Sequence, residues 1–453
     1  MSKTSPIHRL IAHFQESFVK LHIDVPPKVC EDYAVFVHSC MNNGRRKFHT
    51  TDHVLDVCEQ MQPLQVLAGL FHDVIYYQVD GGFPAEAEEL IRSIVDIHDD
   101  IIAIKKILPT DYPSSHYVKI CLDVFAFKSG QTLGIHGGLN EFLSAWVAVN
   151  FLGDFLKAKD LITIAACIEA TIPFRPEDEQ GKNCLDHLEQ RINDCYASYK
   201  LQLAPTEVGQ MVKLAAGVAN RDVANFAELD PGKFLDNTWI LLPETNEMLW
   251  KPGVYFNADY RKALMKMEGF LSFLNPENIY HGYQDEPQPE VLAEMKSQAK
   301  KNVKTANQYL QLKILGIAII EALAMATGGD GPISMFLGDV RIYDEIERAE
   351  DYLPPVELSE VLDYNDTLYR LLEYGRASAT SFDMKNSPIA SFVYKCLGDA
   401  QSTQAMELAR QMFAEKITPE MFLRSLNRKL VSDLAQACAM LATTRKKEFM
   451  KWV

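Results

Sequence analysis

One stretch, Arg46 to Tyr77 (RKFHTTDHVLDVCEQMQPLQVLAGLFHDVIYY), constrains this chain more than any other. His49 and His53 stand four residues apart, the spacing that puts two side chains on one face if the segment is helical. Nineteen residues beyond His53, an adjacent His72-Asp73 pair follows the apolar run Val66-Leu67-Ala68-Gly69-Leu70-Phe71. Imidazole and carboxylate are the donors that a divalent cation of intermediate hardness takes, and two helices could present them together. Pro63 suits the first position of the helix that carries the His-Asp pair at its far end. Asn42-Asn43-Gly44 suits the end of the helix before.

Helical periodicity pervades the rest. Ile7, Leu10, Ile11, Phe14 and Phe18 mark one apolar face, and Leu310, Ile314, Ile317, Ala318 and Ala322 another. Sustained period-two alternation is scarce, so the spacing predicts a mostly α protein. Helices are expected over residues 85–107, 117–127, 140–157, 160–171, 183–200, 205–227, 258–274 and 289–326. Acidic helical segments are expected at 343–355 and 356–374. Residues 1–230 read as one domain, 231–257 as a linker or docking segment and 258–453 as a helical C-terminal region. All twelve histidines lie at or before His281, which assigns any histidine-bearing site to the first two thirds.

Composition narrows the function classes. A formal charge of −16 argues against nucleic-acid polymers and anionic membranes as main partners, because a polyanion needs clustered Lys and Arg. The first residues lack the unbroken apolar core of a signal peptide. The most apolar run, Ile314 to Ala326, is interrupted by Glu321 and is shorter than a bilayer span. Nine cysteines without C-x-x-C spacing fit reduced thiols, and the expectation is a cytoplasmic protein.

The pattern F-H-x-x-x-H followed by H-D resembles the HD superfamily of metal-dependent phosphohydrolases. FHTTDHVLDV is also similar to the Y-H-N-x-x-H-A-x-D-V segment of the cyclic-nucleotide phosphodiesterases in that superfamily. Asn140-Glu141-Phe142-Leu143-Ser144-Ala145 and Ile168-Glu169-Ala170-Thr171 resemble two further segments of one bacterial branch. The resemblance implies an HD-type helical bundle that binds a Mg, Mn, Fe or Zn ion and hydrolyses a small, nucleotide-type phosphomonoester or phosphodiester. It implies a metal held by His53, His72, Asp73 and a later aspartate, for which Asp222 is the first candidate and Asp154 the rival. His49 would protonate the leaving alkoxide and Glu141 would orient water or a ligand. Arg46 and Arg175, with Arg45 and Lys47, would contact phosphate.

The chain also departs from the family pattern. Val74 to Tyr77 supply no further histidine, and Phe174 stands where that branch carries one, so a second tightly held ion is not implied. Two other functions stay open. One is an HD-fold binding protein without catalysis, in which Glu321 and the aromatic Phe234 to Trp250 stretch mark docking or homo-oligomer contacts through the C-terminal helices. The other is a di-iron oxygenase. The glycine turn Thr327 to Pro332 is a further candidate, as an anion cradle at a helix start.

Overall fold

Prolines begin one helix after another. Pro6, Pro27 and Pro63 open α1 (Pro6–Lys20), α2 (Pro27–Met41) and, after the short α3 (Thr51–Val57), α4 (Pro63–Phe71). Proline at this position loses nothing, because the first N–H groups of a helix have no partner within it. As expected, α2 ends at Asn42 and α4 ends at His72. This computed structural model describes residues 4–98, 101–134, 137–199, 205–340, 346–356, 362–363 and 366–453.

The chain continues through α5 (Tyr77–Asp80), α6 (Ala85–Arg92), β1 (Val95–His98), β2 (Ile101–Ile104), α7 (Ser114–Phe125), β3 (Thr132–Leu133), α8 (Leu139–Leu152), α9 (Ala158–Ala170), α10 (Cys184–Tyr199) and α11 (Pro205–Asp222). Then come α12 (Pro231–Thr245), α13 (Asn257–Phe273), α14 (Pro289–Ala326), α15 (Ile333–Leu337), α16 (Thr367–Glu373), α17 (Pro388–Phe413, kinked at Gly398), α18 (Pro419–Ser425), α19 (Arg428–Leu441) and α20 (Lys446–Phe449). The protein is mostly α, about 66% helical. The acidic helices expected at 343–355 and 356–374 fall partly outside the described residues. What is described there is a 3-10 turn at Ala349–Tyr352 and α16.

Two expectations are corrected. The helix expected over 85–107 stops at Arg92, and β1 and β2 pair antiparallel from Val95↔Ile104 to His98↔Ile101, with β3 on the other edge of β2. β-Branched residues at 94, 95, 97, 101, 102 and 104 favour a pleated surface. Residues 231–257 are not a linker. Asp230 caps α12 by accepting from the Gly232 N–H at 2.9 Å, and Phe234, Leu235 and Trp239 are buried.

The chain forms two compact units, Met1–Ala227 with Asn275–Ala299, and Glu228–Leu274 with Lys300–Val453. In the first, α9 is buried along almost its whole length and packs against α4, α7, α8 and α11. An aromatic cluster closes the far end of α4: the Phe71 ring centre lies 5.8 Å from Phe14, 6.3 Å from Phe36 and 5.8 Å from Phe151. That packing fixes the helix end from which His72 and Asp73 project. In the second unit, α14 is long and apolar enough to cross a membrane by length and composition, yet 78% of its most apolar window is buried in the fold. Glu321 on it pairs with Arg261 at 2.6 Å. The Thr327 to Pro332 turn is a brace: Asp330 accepts from Asn257 Nδ2 and the Ala258 N–H, and Arg445 donates to the Gly329 carbonyl.

Candidate metal centre

Four side chains from three helices converge. His53 comes from α3, His72 and Asp73 from the end of α4, and Asp222 is the last residue of α11. His53 Nε2 lies 3.1 Å from Asp222 Oδ1 and 3.6 Å from Asp73 Oδ2, while His72 Nε2 lies 3.3 Å from each of these oxygens. All four donor atoms fall within 4.8 Å of one another. Ligands about 2.1 Å from one ion, at angles between square and tetrahedral, stand roughly 3.0 to 3.4 Å apart, which is close to this spacing. His72 Nδ1 sits 2.7 Å from the Gly69 carbonyl, which uses the Nδ1 proton and leaves Nε2 facing the carboxylates. Two imidazole nitrogens and two carboxylates therefore fit a divalent ion such as Zn, Fe or Mn.

The register of α4 against α11 sets this geometry. Gln65 closes a capping box at the start of α4 and also donates to the Leu214 carbonyl at 2.9 Å. It fits because position 217 is glycine: a Cβ there would stand 2.5 Å from Gln65 Nε2. At the other end of α11, Arg221 donates twice to the Asp56 carbonyl at 3.1 Å and ties Asp222 to α3. Asn140 and Ser144 on α8 accept from the Tyr77 and Ile75 N–H groups, both at 3.1 Å, and hold the chain just after Asp73.

Arg46 is corrected from a phosphate contact to a brace. Its side chain is wholly buried and grips both oxygens of Asp80 at 2.8 and 2.6 Å. It also donates to the Asp73 carbonyl at 2.7 Å, so it positions a ligand from behind. Asp154, the rival fourth ligand, is exposed in the turn after α8 and belongs to no metal-binding group among the described residues. His49 precedes α3 and so shares no helical face with His53. Its ring nevertheless lies 5.8 Å from that of His53 and edge-on to Tyr76 at 4.5 Å.

The electrostatics are those of a site built for positive charge. Burial lowers the affinity of His72 for a proton, but Asp73 and Asp222 outweigh it and raise its pKa well above the usual value. Burial raises the carboxylates, but the histidines outweigh it and hold both below the ordinary range. In the absence of an ion the histidine proton stands in for it. Glu141, in the first turn of α8, is pushed up to about 7, by burial first and by the Asp73 and Asp222 charges next.

Arg175 is engaged with Glu169 through Nη1 at 2.6 Å, and Arg191 reaches the same oxygen at 2.7 Å. The sequence carries no signal for this arrangement, because Arg191 lies one helix further on and its charge alone marks nothing. The same holds for His281. Asn220, two residues before Asp222, clamps the backbone of His281 by exchanging hydrogen bonds of 2.8 and 3.1 Å with it.

Comparison with protein-family models, with curated proteins and with solved structures found no match, so the reading of this centre rests on its residues and their geometry.

Proposed function

We propose that the first unit is a metal-dependent phosphohydrolase of the HD type, cleaving a phosphomonoester or phosphodiester bond of a small, nucleotide-like substrate. The observation that carries this reading is the four-donor cluster of His53, His72, Asp73 and Asp222. These residues would hold a Mg, Mn, Fe or Zn ion. When bound, such an ion neutralises phosphoryl oxygens and acidifies water.

The chain's own residues then have separate tasks. His49, one ring away from His53, delivers a proton to the departing oxygen, a step of general acid catalysis worth about 10²- to 10⁴-fold. Glu141, with its carboxyl held at about 7, takes and returns a proton near neutral pH. Arg175 lies within electrostatic reach of Glu141 while held by Glu169, and so supplies fixed positive charge beside the site. Arg46 and Asn140 bind no substrate in this scheme and keep Asp73 and the following turn in place.

The test is metal analysis of the purified protein, followed by phosphate release from a panel of nucleotides and diesters with each divalent ion. A wild type that releases phosphate and a His72→Ala/Asp73→Ala variant that does not would support the assignment. A metal-loaded wild type inert across the panel would remove the enzymatic reading and favour a binding protein on the same scaffold. Oxygen consumption by an iron-loaded sample would favour the oxygenase.

A further inference from the structure

The second unit buries charge that the metal centre does not use. Lys313, on α14, is only 6% exposed. Its ammonium donates to Asp383 at 2.8 Å and to Ser387 Oγ at 2.9 Å, and lies 5.6 and 5.8 Å from the ring centres of Trp239 and Tyr260. Asp383 also accepts from the Trp239 indole N–H at 2.7 Å. Arg376, whose side chain is wholly buried, stacks on Trp239 at 4.5 Å and comes within 4.0 Å of the same carboxylate. Two cations thus converge on Asp383. A buried pair of this kind is weak support for a fold, because desolvation offsets most of the attraction.

A cavity of about 60 Å³ opens beside this cluster. Its polar wall is Tyr260, Lys313, Arg348, Asp383 and Ser387, and its apolar wall includes Ile317. The Tyr260 hydroxyl is buried beside Asp383 and interacts with its carboxylate. A cavity of about 150 Å³ holds a benzene ring, so this one admits a group of two or three carbons.

We propose that this pocket is a second reactive site, in which Lys313 condenses with the carbonyl group of a small aldehyde or 2-oxo acid to form an imine. The amine nitrogen attacks the carbonyl carbon, a C–N bond forms, the C–O bond breaks and the oxygen leaves as water. Two of the three ammonium protons end on that water, relayed by Asp383 and the Tyr260 hydroxyl. Net charge is unchanged and nothing is oxidised or reduced. Arg348, on the cavity wall and already paired with Glu350 at 2.6 Å, adds positive charge on the side where the carboxylate of a 2-oxo acid would sit. Burial lowers the Lys313 pKa below the usual ammonium value, and Arg376 and Arg348 add to this against the pull of Asp383, so free amine is more available than on a surface lysine. This inference is independent of the metal centre.

The test is reductive trapping. Full-length protein is incubated with acetaldehyde or glyoxylate and cyanoborohydride at neutral pH, and the modified lysines are mapped by peptide mass spectrometry. Lys313 is expected to be trapped faster than exposed lysines such as Lys28, because its ammonium gives up a proton more readily. Tyr260→Phe should slow trapping at Lys313 while changing the unfolding temperature little, since the hydroxyl it removes engages only Asp383, which keeps its contacts to Lys313 and Trp239. A Lys313 that stays unmodified in the folded chain but reacts in the urea-unfolded chain would overturn the proposal and leave a structural ion pair. Trapping spread evenly over surface lysines, or unaffected by Tyr260→Phe, would do the same.

Discussion

Arg46 distinguishes a brace from a substrate contact by measurement. Replacing it with Met keeps an unbranched apolar stem but removes five donors. Asp80, whose side chain is 4% exposed, then loses both of its close contacts to Arg46, and the Asp73 carbonyl loses its 2.7 Å partner. Breaking a buried pair by removing one partner costs about 3 to 5 kcal/mol. A domain of this size shifts its melting temperature by roughly 2 to 4 °C per kcal/mol, so Arg46→Met should lower it by about 6 to 20 °C. The double variant Arg46→Met/Asp80→Leu removes both charges together and should recover most of that loss, because replacing a buried ion pair with apolar groups is close to neutral. Thermal or urea unfolding of the four proteins in the cycle gives the coupling energy directly. A phosphate-binding Arg46 would behave otherwise: the single variant would unfold like wild type and the defect would appear only in KM. An unchanged melting temperature in Arg46→Met, or no recovery in the double variant, refutes the brace.

Other outcomes follow from the same geometry. In metal-free protein His72 titrates above its unfolded value of 6.5, so its stabilising contribution is full below that pH and is lost as pH rises through its folded value. Asp73 and Asp222 titrate below 3.8, so theirs is present above that pH and is lost as pH falls through their folded values. Stability in urea should therefore peak between about pH 4 and 6.5, and zinc should abolish the alkaline decline; a pH-independent midpoint contradicts the clustering. Glu141→Gln should reduce turnover by about 10²- to 10⁴-fold and erase the ionisation near neutral pH from the kcat/KM profile. Gly217→Val should push Gln65 out of its place between α4 and α11, weakening metal binding more than it lowers the melting temperature, as titration calorimetry and scanning calorimetry would show.

The four donors that cluster, His53, His72, Asp73 and Asp222, were legible in the sequence because the chemistry of a metal site dictates residue types. Asp222 stood out as an acid ending an apolar, small-residue helix, where an unpaired carboxylate would be costly. The start of α4 was legible because proline has few permitted places in a helix. Arg46 was misread because a cation beside a candidate site looks the same whether it meets a phosphate or a buried Asp80 far along the chain. β1 and β2 were misread because Ile91, Ile94, Val95 and His98 are spaced like one helical face, although β-branched side chains pack equally well on a hairpin. α12 was taken for a linker because Pro231 and Pro243 look like breaks. The first occupies the opening turn, where a helix tolerates proline, and the second lies inside α12 two residues before its end, where it removes one hydrogen bond without stopping the helix.

Titration calorimetry of the metal-stripped full-length chain with zinc or manganese, paired with X-ray absorption of the loaded protein, tests the central claim most directly. One tightly held ion per chain is expected, with nitrogen and oxygen donors at about 2.0 to 2.2 Å, and binding at least about tenfold weaker in Asp222→Ala and His72→Ala. An ion bound equally well by Asp222→Ala, or a wild type that binds none, contradicts it.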